Sequence, residues 1–160
     1  MIQFQEVYES YAADVYRFSL WLAGDSQEAE DITSETFVRA WVHHRKIRTE
    51  TLKAYLFTIS KNLYFEHKRK RKHQVPLVDI YPDPAPGPDK RTETQHKLRS
   101  IWNILQTLPE IDRAAFVLRL QHALPYEEIA RILKLSLTAA KVKVYRVRKK
   151  LMAACFEKEE

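Results

Sequence analysis

The chain has one cysteine and two glycines among its 160 residues. A lone Cys155 excludes an internal disulfide and any zinc site built on several thiolates. Gly24 and Gly87 are too few and too far apart for a phosphate-cradling glycine loop. They also leave little material for tight hairpins, so a multi-stranded sheet is disfavoured and helices are expected. Long hydrophobic runs are missing as well: nothing approaches the ~18 apolar residues of a membrane span. The N-terminal MIQFQEVYES carries acids where a secretory leader carries basic residues, and the protein is expected to be cytoplasmic. The six histidines, at 43, 44, 67, 73, 96 and 122, have no metal-ligand spacing. Asp31 and Glu35 lie one helical turn apart but lack a third ligand. Neither a metal nor a cofactor nor a small-molecule substrate is expected, and the chain is read as a non-enzyme, with a nucleic-acid enzyme as a remote alternative.

What the chain has is charge, sorted by sign. The formal net charge is +6, but residues 1 to 44 hold two Arg against eight Asp or Glu, a net of −6. Residues 45 to 73 hold ten basic residues against two acidic ones, and residues 134 to 151 hold seven basic residues and no acid. Two separated basic patches suggest a polyanion contacted twice. The acidic front suggests a second partner that is not a nucleic acid.

Apolar residues at Phe4, Val7, Tyr8, Tyr11, Val15, Phe18 and Leu22 mark one face of a first helix ended by Gly24. A second helix over about 26 to 44 is capped by Asp25 or Ser26, with Ala29, Ile32, Thr33, Thr36, Phe37, Ala40 and Trp41 inward. A third runs from about Leu52 into HKRKRKH at 67 to 73, with Tyr55, Leu56, Ile59 and Leu63 inward and Lys53, Lys61, Tyr64 and Lys68 outward. Five prolines in VPLVDIYPDPAPGPDKR, 75 to 91, then break the helical pattern and read as a semi-rigid linker. Past it, a helix carries Leu98, Ile101, Trp102 and Leu105, and another runs from 109 to about 122. The expected fold is all-α: two small helical domains, 1–73 and 93–160, joined by a proline-rich linker at 74–92, the C-terminal domain holding a helix-turn-helix.

That motif is LPYEEIARILKLSLTAAKVKVYRVRKKL, 124 to 151: a helix, a three-residue turn and a longer helix capped by Ser136. On the longer helix Ala140, Val144, Val147 and Leu151 form an inward stripe. Thr138, Lys141, Val142, Tyr145, Arg146 and Lys149 face the other way, shaped for a major groove. A surface or membrane-lying amphipathic helix would leave the preceding helix and turn without a purpose.

AEDITSETFVRAW (29 to 41), AYLFTISKNLYFEHKRKRK (54 to 72), LPEIDRAAFVLR (108 to 119) and YEEIARILKLSLTAAKVKVYRVRKKL (126 to 151) resemble, in this order, the two conserved regions of the extracytoplasmic-function (ECF) sigma factors of bacterial RNA polymerase. The resemblance covers nearly all of the chain outside the linker. It implies an alternative sigma subunit that docks on the clamp of the largest subunit of the polymerase core through Asp31, Ser34, Glu35 and Phe37. It implies contacts to the minus-10 element of promoter DNA by Arg45, Lys46, Arg48, Lys53, Lys61, Asn62, Tyr64, Lys68 and Arg69. The minus-35 element falls to Ser136, Thr138, Lys141, Val142, Tyr145, Arg146 and Lys149. The resemblance also implies an anti-sigma protein as a candidate partner. The competing reading is a stand-alone helix-turn-helix regulator, which would leave the acidic helix and the first basic region unexplained.

Overall fold

The computed structural model describes residues 3–43, 52–72 and 93–156. Those residues form seven helices: α1 Phe4–Ala23, α2 Ser26–Val42, α3 Leu52–Arg71, α4 Glu93–Thr107, α5 Glu110–Leu120, α6 Tyr126–Leu133 and α7 Leu137–Phe156. Arg45, Lys46, Arg48 and the proline-rich linker lie outside the described residues.

Local chemistry sets the helix ends. Gly24 stops α1 in the left-handed region at φ 73°, its N–H donating to the Leu20 carbonyl at 2.8 Å. A Cβ there would sit 2.8 Å from Oε1 of Gln106, so glycine is required both by the turn and by the close approach of α4. Asp25 caps α2 by accepting from the N–H groups of Gln27 and Glu28, each at 3.3 Å. Lys134 closes α6 at φ 55°, ψ 48°. A left-handed non-glycine residue costs about 1 kcal/mol, and the tight turn into α7 requires that geometry.

The halves are not held apart. One apolar cluster runs through Phe18 and Leu22 of α1, Phe57 and Leu63 of α3, Leu105 of α4, Leu118 of α5, Ile129 and Ile132 of α6, and Val144 of α7. A smaller cluster of Val7, Val15, Phe37, Ala40, Leu52 and Leu56 sits among α1, α2 and α3. Polar ties cross the same seam. Buried Arg113 donates to the carbonyls of Leu105, Leu108 and, across the seam, Leu22 at 3.2, 3.0 and 2.6 Å. It thereby satisfies carbonyls at the C-terminal ends of two helices, where a cation is favoured. Gln106 donates to the carbonyl of Trp21 at 2.8 Å, and Lys68 pairs with Glu110.

This packing revises several orientations expected from periodicity. Lys61 and Tyr64 are buried rather than outward, because the face of α3 that carries them meets the second half of the chain. Trp41 is 52% exposed, although its ring still meets Phe4 of α1 with centres 4.8 Å apart. Leu98 and Leu120 are exposed, whereas Leu105 and Leu118 of the same helices are buried.

Candidate nucleic-acid interface

Helix α7 is divided lengthwise. Ala140, Val144, Val147 and Leu151 are buried against the preceding helices. Thr138, Lys141, Val142, Arg146 and Lys149 are exposed, as is Tyr145 at 63%. Ser136 has a local role: its Oγ accepts from the N–H of Ala139 at 3.1 Å, capping α7. Lys143 lies outside the outward set: its Nζ is 2.7 Å from Oδ1 of Asp112 and ties α7 to α5. At the entrance to the motif the Arg119 guanidinium lies 4.3 Å from the centre of the Tyr126 ring and the Lys141 ammonium 5.9 Å from it. These contacts hold two cations beside the outward face of α7 without neutralising either.

The α3 candidates divide differently. Asn62 and Arg69 are exposed. Lys53 donates to the carbonyl of His122 at 3.4 Å, and Lys68 is held by Glu110. Tyr64 is buried, with its ring 5.2 Å from Phe65, and burial raises its hydroxyl pKa. Lys61 is also buried, and burial lowers its ammonium pKa, helped by the nearby Lys134 charge. Four of the six described candidates on α3 are therefore engaged at the seam between the halves.

On α2, Asp31 and Ser34 are exposed, Asp31 accepting from Nε2 of Gln27 at 3.3 Å. Glu35 faces Arg39 at 3.1 Å and His67 at 3.4 Å, and Arg39 also reaches Glu66 on α3. Phe37, expected on the inner face of α2 and also named as a docking residue, takes the inner place. It is buried, with its ring centre 6.3 Å from Phe4 and 5.0 Å from Tyr8, because the face it occupies packs on α1. In its place α2 presents Val38, 61% exposed, and Val42, 67% exposed. Spacing could have located both: Ser34, Val38 and Val42 repeat every four residues along one face.

An all-helical body with a capped helix-turn-helix and a basic outer face on its second helix defines a nucleic-acid-binding protein of the helix-turn-helix class. Comparison with known proteins narrows this. Residues 7–74 match the family model Sigma-70 region 2, and residues 98–151 match Sigma-70, region 4. The ECF RNA polymerase sigma factor SigM of Bacillus subtilis is 30% identical over 153 residues, covering 92% of each chain. SigE of Mycolicibacterium smegmatis is 30% identical over 156 residues, covering 94% of this chain and 61% of that one. The fold matches the sigma factor RpoE of Bartonella quintana, solved in complex with the anti-sigma factor NepR, with a TM-score of 0.76 and 24% identity over 93% of this chain and 94% of that one. The chain belongs to the ECF sigma factor family, alternative sigma subunits that direct transcription initiation by RNA polymerase.

Proposed function

We propose that this sigma subunit works as two units, 1–73 and 93–160, which pack together in the free chain and separate on a promoter. The observation that carries the reading is the lengthwise division of α7, with an apolar stripe seated in the body and an outward face of Lys141, Tyr145, Arg146 and Lys149. That face suits the major groove of the minus-35 element, with cations on phosphates and base edges.

Lys53, Lys61, Asn62, Tyr64, Lys68 and Arg69 then take the minus-10 strand. A positive groove with aromatic surfaces is the chemistry that single-stranded DNA requires. Since Lys53, Lys61, Tyr64 and Lys68 serve the seam when the halves are packed, separation has to precede that contact. Docking on the core uses the outer face of α2, where Asp31 and Ser34 adjoin exposed Val38 and Val42. An apolar centre with a polar, charged rim is the usual build of a protein interface. A second protein partner of the anti-sigma class would act by keeping the two units packed, and the protein works in the cytoplasm.

Run-off transcription with purified polymerase core tests the reading. Promoter-dependent transcripts are expected only when the chain is added, and D31K with V38D is expected to abolish both transcription and co-elution with core on gel filtration. A stable dimer that binds duplex DNA tightly without polymerase would instead establish the stand-alone regulator.

A further inference from the structure

Where α3 passes the C-terminal end of α6 there is a cleft of about 570 Å³. Its lining carries five cationic side chains, Lys61, Lys68, Arg69, Lys72 and Lys134, against one carboxylate, Glu66. Glu66 is already engaged by Arg39 at 3.3 Å, and Lys68 is matched by Glu110. Among the described residues, Lys61, Arg69, Lys72 and Lys134 have no carboxylate partner. Lys61 is the sharpest case, since it is 6% exposed and still lines the cleft.

A buried ammonium without a counter-charge is costly, and a second one beside it adds repulsion. The Lys61 ammonium pKa is lowered by burial first and by the Lys134 charge second, as expected of two cations that line one cleft. Surface lysines would turn outward into water. Lys61 lies in a packed face of α3, and Lys134 is fixed in a left-handed turn, so the backbone holds both near the cleft.

We propose that this cleft binds a small polyphosphate anion, of the pyrophosphate to nucleoside-polyphosphate class, coordinated by Lys61 and Arg69 from α3 and by Lys134 from the end of α6. The site draws its cations from both halves of the chain. Its occupant therefore bridges them and favours the packed arrangement over the separated one, while covering Lys61 from a promoter strand. Flexible ammonium groups suit an anion with several phosphate oxygens, each able to accept a charge-assisted hydrogen bond.

The test is isothermal titration of the full chain with sodium pyrophosphate at constant ionic strength, using wild type, K134G and K134R. K134G removes the ammonium while suiting the left-handed backbone, so it should fold at least as well as the wild type. Saturable binding by the wild type, retained by K134R and about tenfold weaker in K134G, is expected from the removal of one charge-assisted hydrogen bond. Equal affinity in all three, or no saturable binding by the wild type at millimolar pyrophosphate, overturns the site. A short single-stranded oligothymidylate provides the second arm. If it saturates the cleft with the same dependence on Lys134 while pyrophosphate does not bind, the phosphates belong to nucleic acid and the small-molecule assignment falls. No polymerase or promoter enters these titrations, so their failure is distinguishable from failure of the sigma mechanism proposed above.

Discussion

His122 should make the packed arrangement acid-sensitive. Its side chain is buried between Phe18 and Phe57, with ring centres 6.2 and 4.7 Å away, where α1 and α3 meet the loop after α5. Nε2 has no hydrogen-bond partner, and Nδ1 is 4.0 Å from Oδ1 of Asp14. Burial is the dominant influence and pushes the imidazole pKa down from 6.5 to about 4; Asp14 opposes this, while Lys53 and Arg17 add to it. The folded chain therefore holds His122 neutral, and between pH 6.5 and about 4 the unfolded chain binds the extra proton. The stability contributed by the neutral ring is fully present above pH 6.5 and is lost as pH falls toward 4. Each pH unit of that window is worth about 1.4 kcal/mol, so the whole loss is on the order of 3 kcal/mol.

Urea denaturation at pH values between 7 and 4, comparing wild type with H122F, measures it. Phenylalanine keeps an aromatic ring in the aromatic surroundings and cannot titrate, so the stability of wild type relative to H122F should fall by about 3 kcal/mol from pH 7 to pH 4. Carboxylates titrate in both proteins and largely cancel in the difference, including Glu28, raised by burial, and Glu110, which burial raises but Lys68 lowers by more. Parallel stability curves for the two proteins would refute the reasoning. Small-angle scattering across the same range should show expansion of the wild type before H122F, since separating the halves exposes the same ring.

Three further outcomes are expected. V38D with V42D should abolish co-elution with polymerase core while changing the unfolding free energy by less than about 1 kcal/mol, because both side chains are exposed and surface substitutions have small effects; wild-type retention of core binding would move docking elsewhere. K141A with R146A should flatten the logarithmic salt dependence of promoter-complex binding by about 2, close to one for each phosphate no longer neutralised, measured by filter binding at several salt concentrations. R113M should destabilise the chain by about 3 kcal/mol in denaturant titrations, because it strips a charged donor from three carbonyls, each worth about 1 kcal/mol or more when left buried and unpaired.

Much of the C-terminal half was legible in the sequence because its signals are local. A 3.6-residue period placed Ala140, Val144, Val147 and Leu151 inward, Ser136 capped the helix as its side chain chemistry demands, and Lys134 took the left-handed turn where glycine would be easier. The N-terminal departures have one physical origin. Periodicity reports which residues prefer to leave water but not how many neighbours a helix has, and α3 is covered on two sides: α1 and α2 on one, α6 on another. Lys61 and Tyr64 lie on the second covered face, and polar or amphipathic residues there read as solvent-facing when a single buried stripe is assumed. Phe37 and Val38 show where a single stripe suffices. Both are apolar neighbours on α2, and the spacing that sets Phe37 inward with Ile32, Thr33, Thr36 and Ala40 leaves Val38 outward with Ser34 and Val42, as their burial and exposure show.

Under the proposed minus-10 role, the seam makes double use of charged residues, and this bears on how the subunit would be switched. Lys53 spends a donor on the carbonyl of His122, Lys68 pairs with Glu110, and Lys61 is drawn out of water. None of these is a strong bond in isolation: a half-exposed ion pair contributes about 0 to 1 kcal/mol, and a desolvated lysine opposes packing. The apolar contacts of Phe18, Phe57, Leu63, Leu105 and Ile129 must therefore supply the attraction, while the cations keep it from becoming irreversible. On the proposed roles, a polymerase surface at α2, or a promoter strand offering phosphates to the α3 cations, would compete against weak polar ties instead of a fully matched interface. Replacing Lys61 by methionine would remove the buried charge while keeping much of the side-chain volume. K61M is accordingly expected to favour the packed form and to raise the unfolding midpoint, yet to lower run-off transcription; a midpoint below that of the wild type would show that Lys61 stabilises the seam and would reverse this account of its balance.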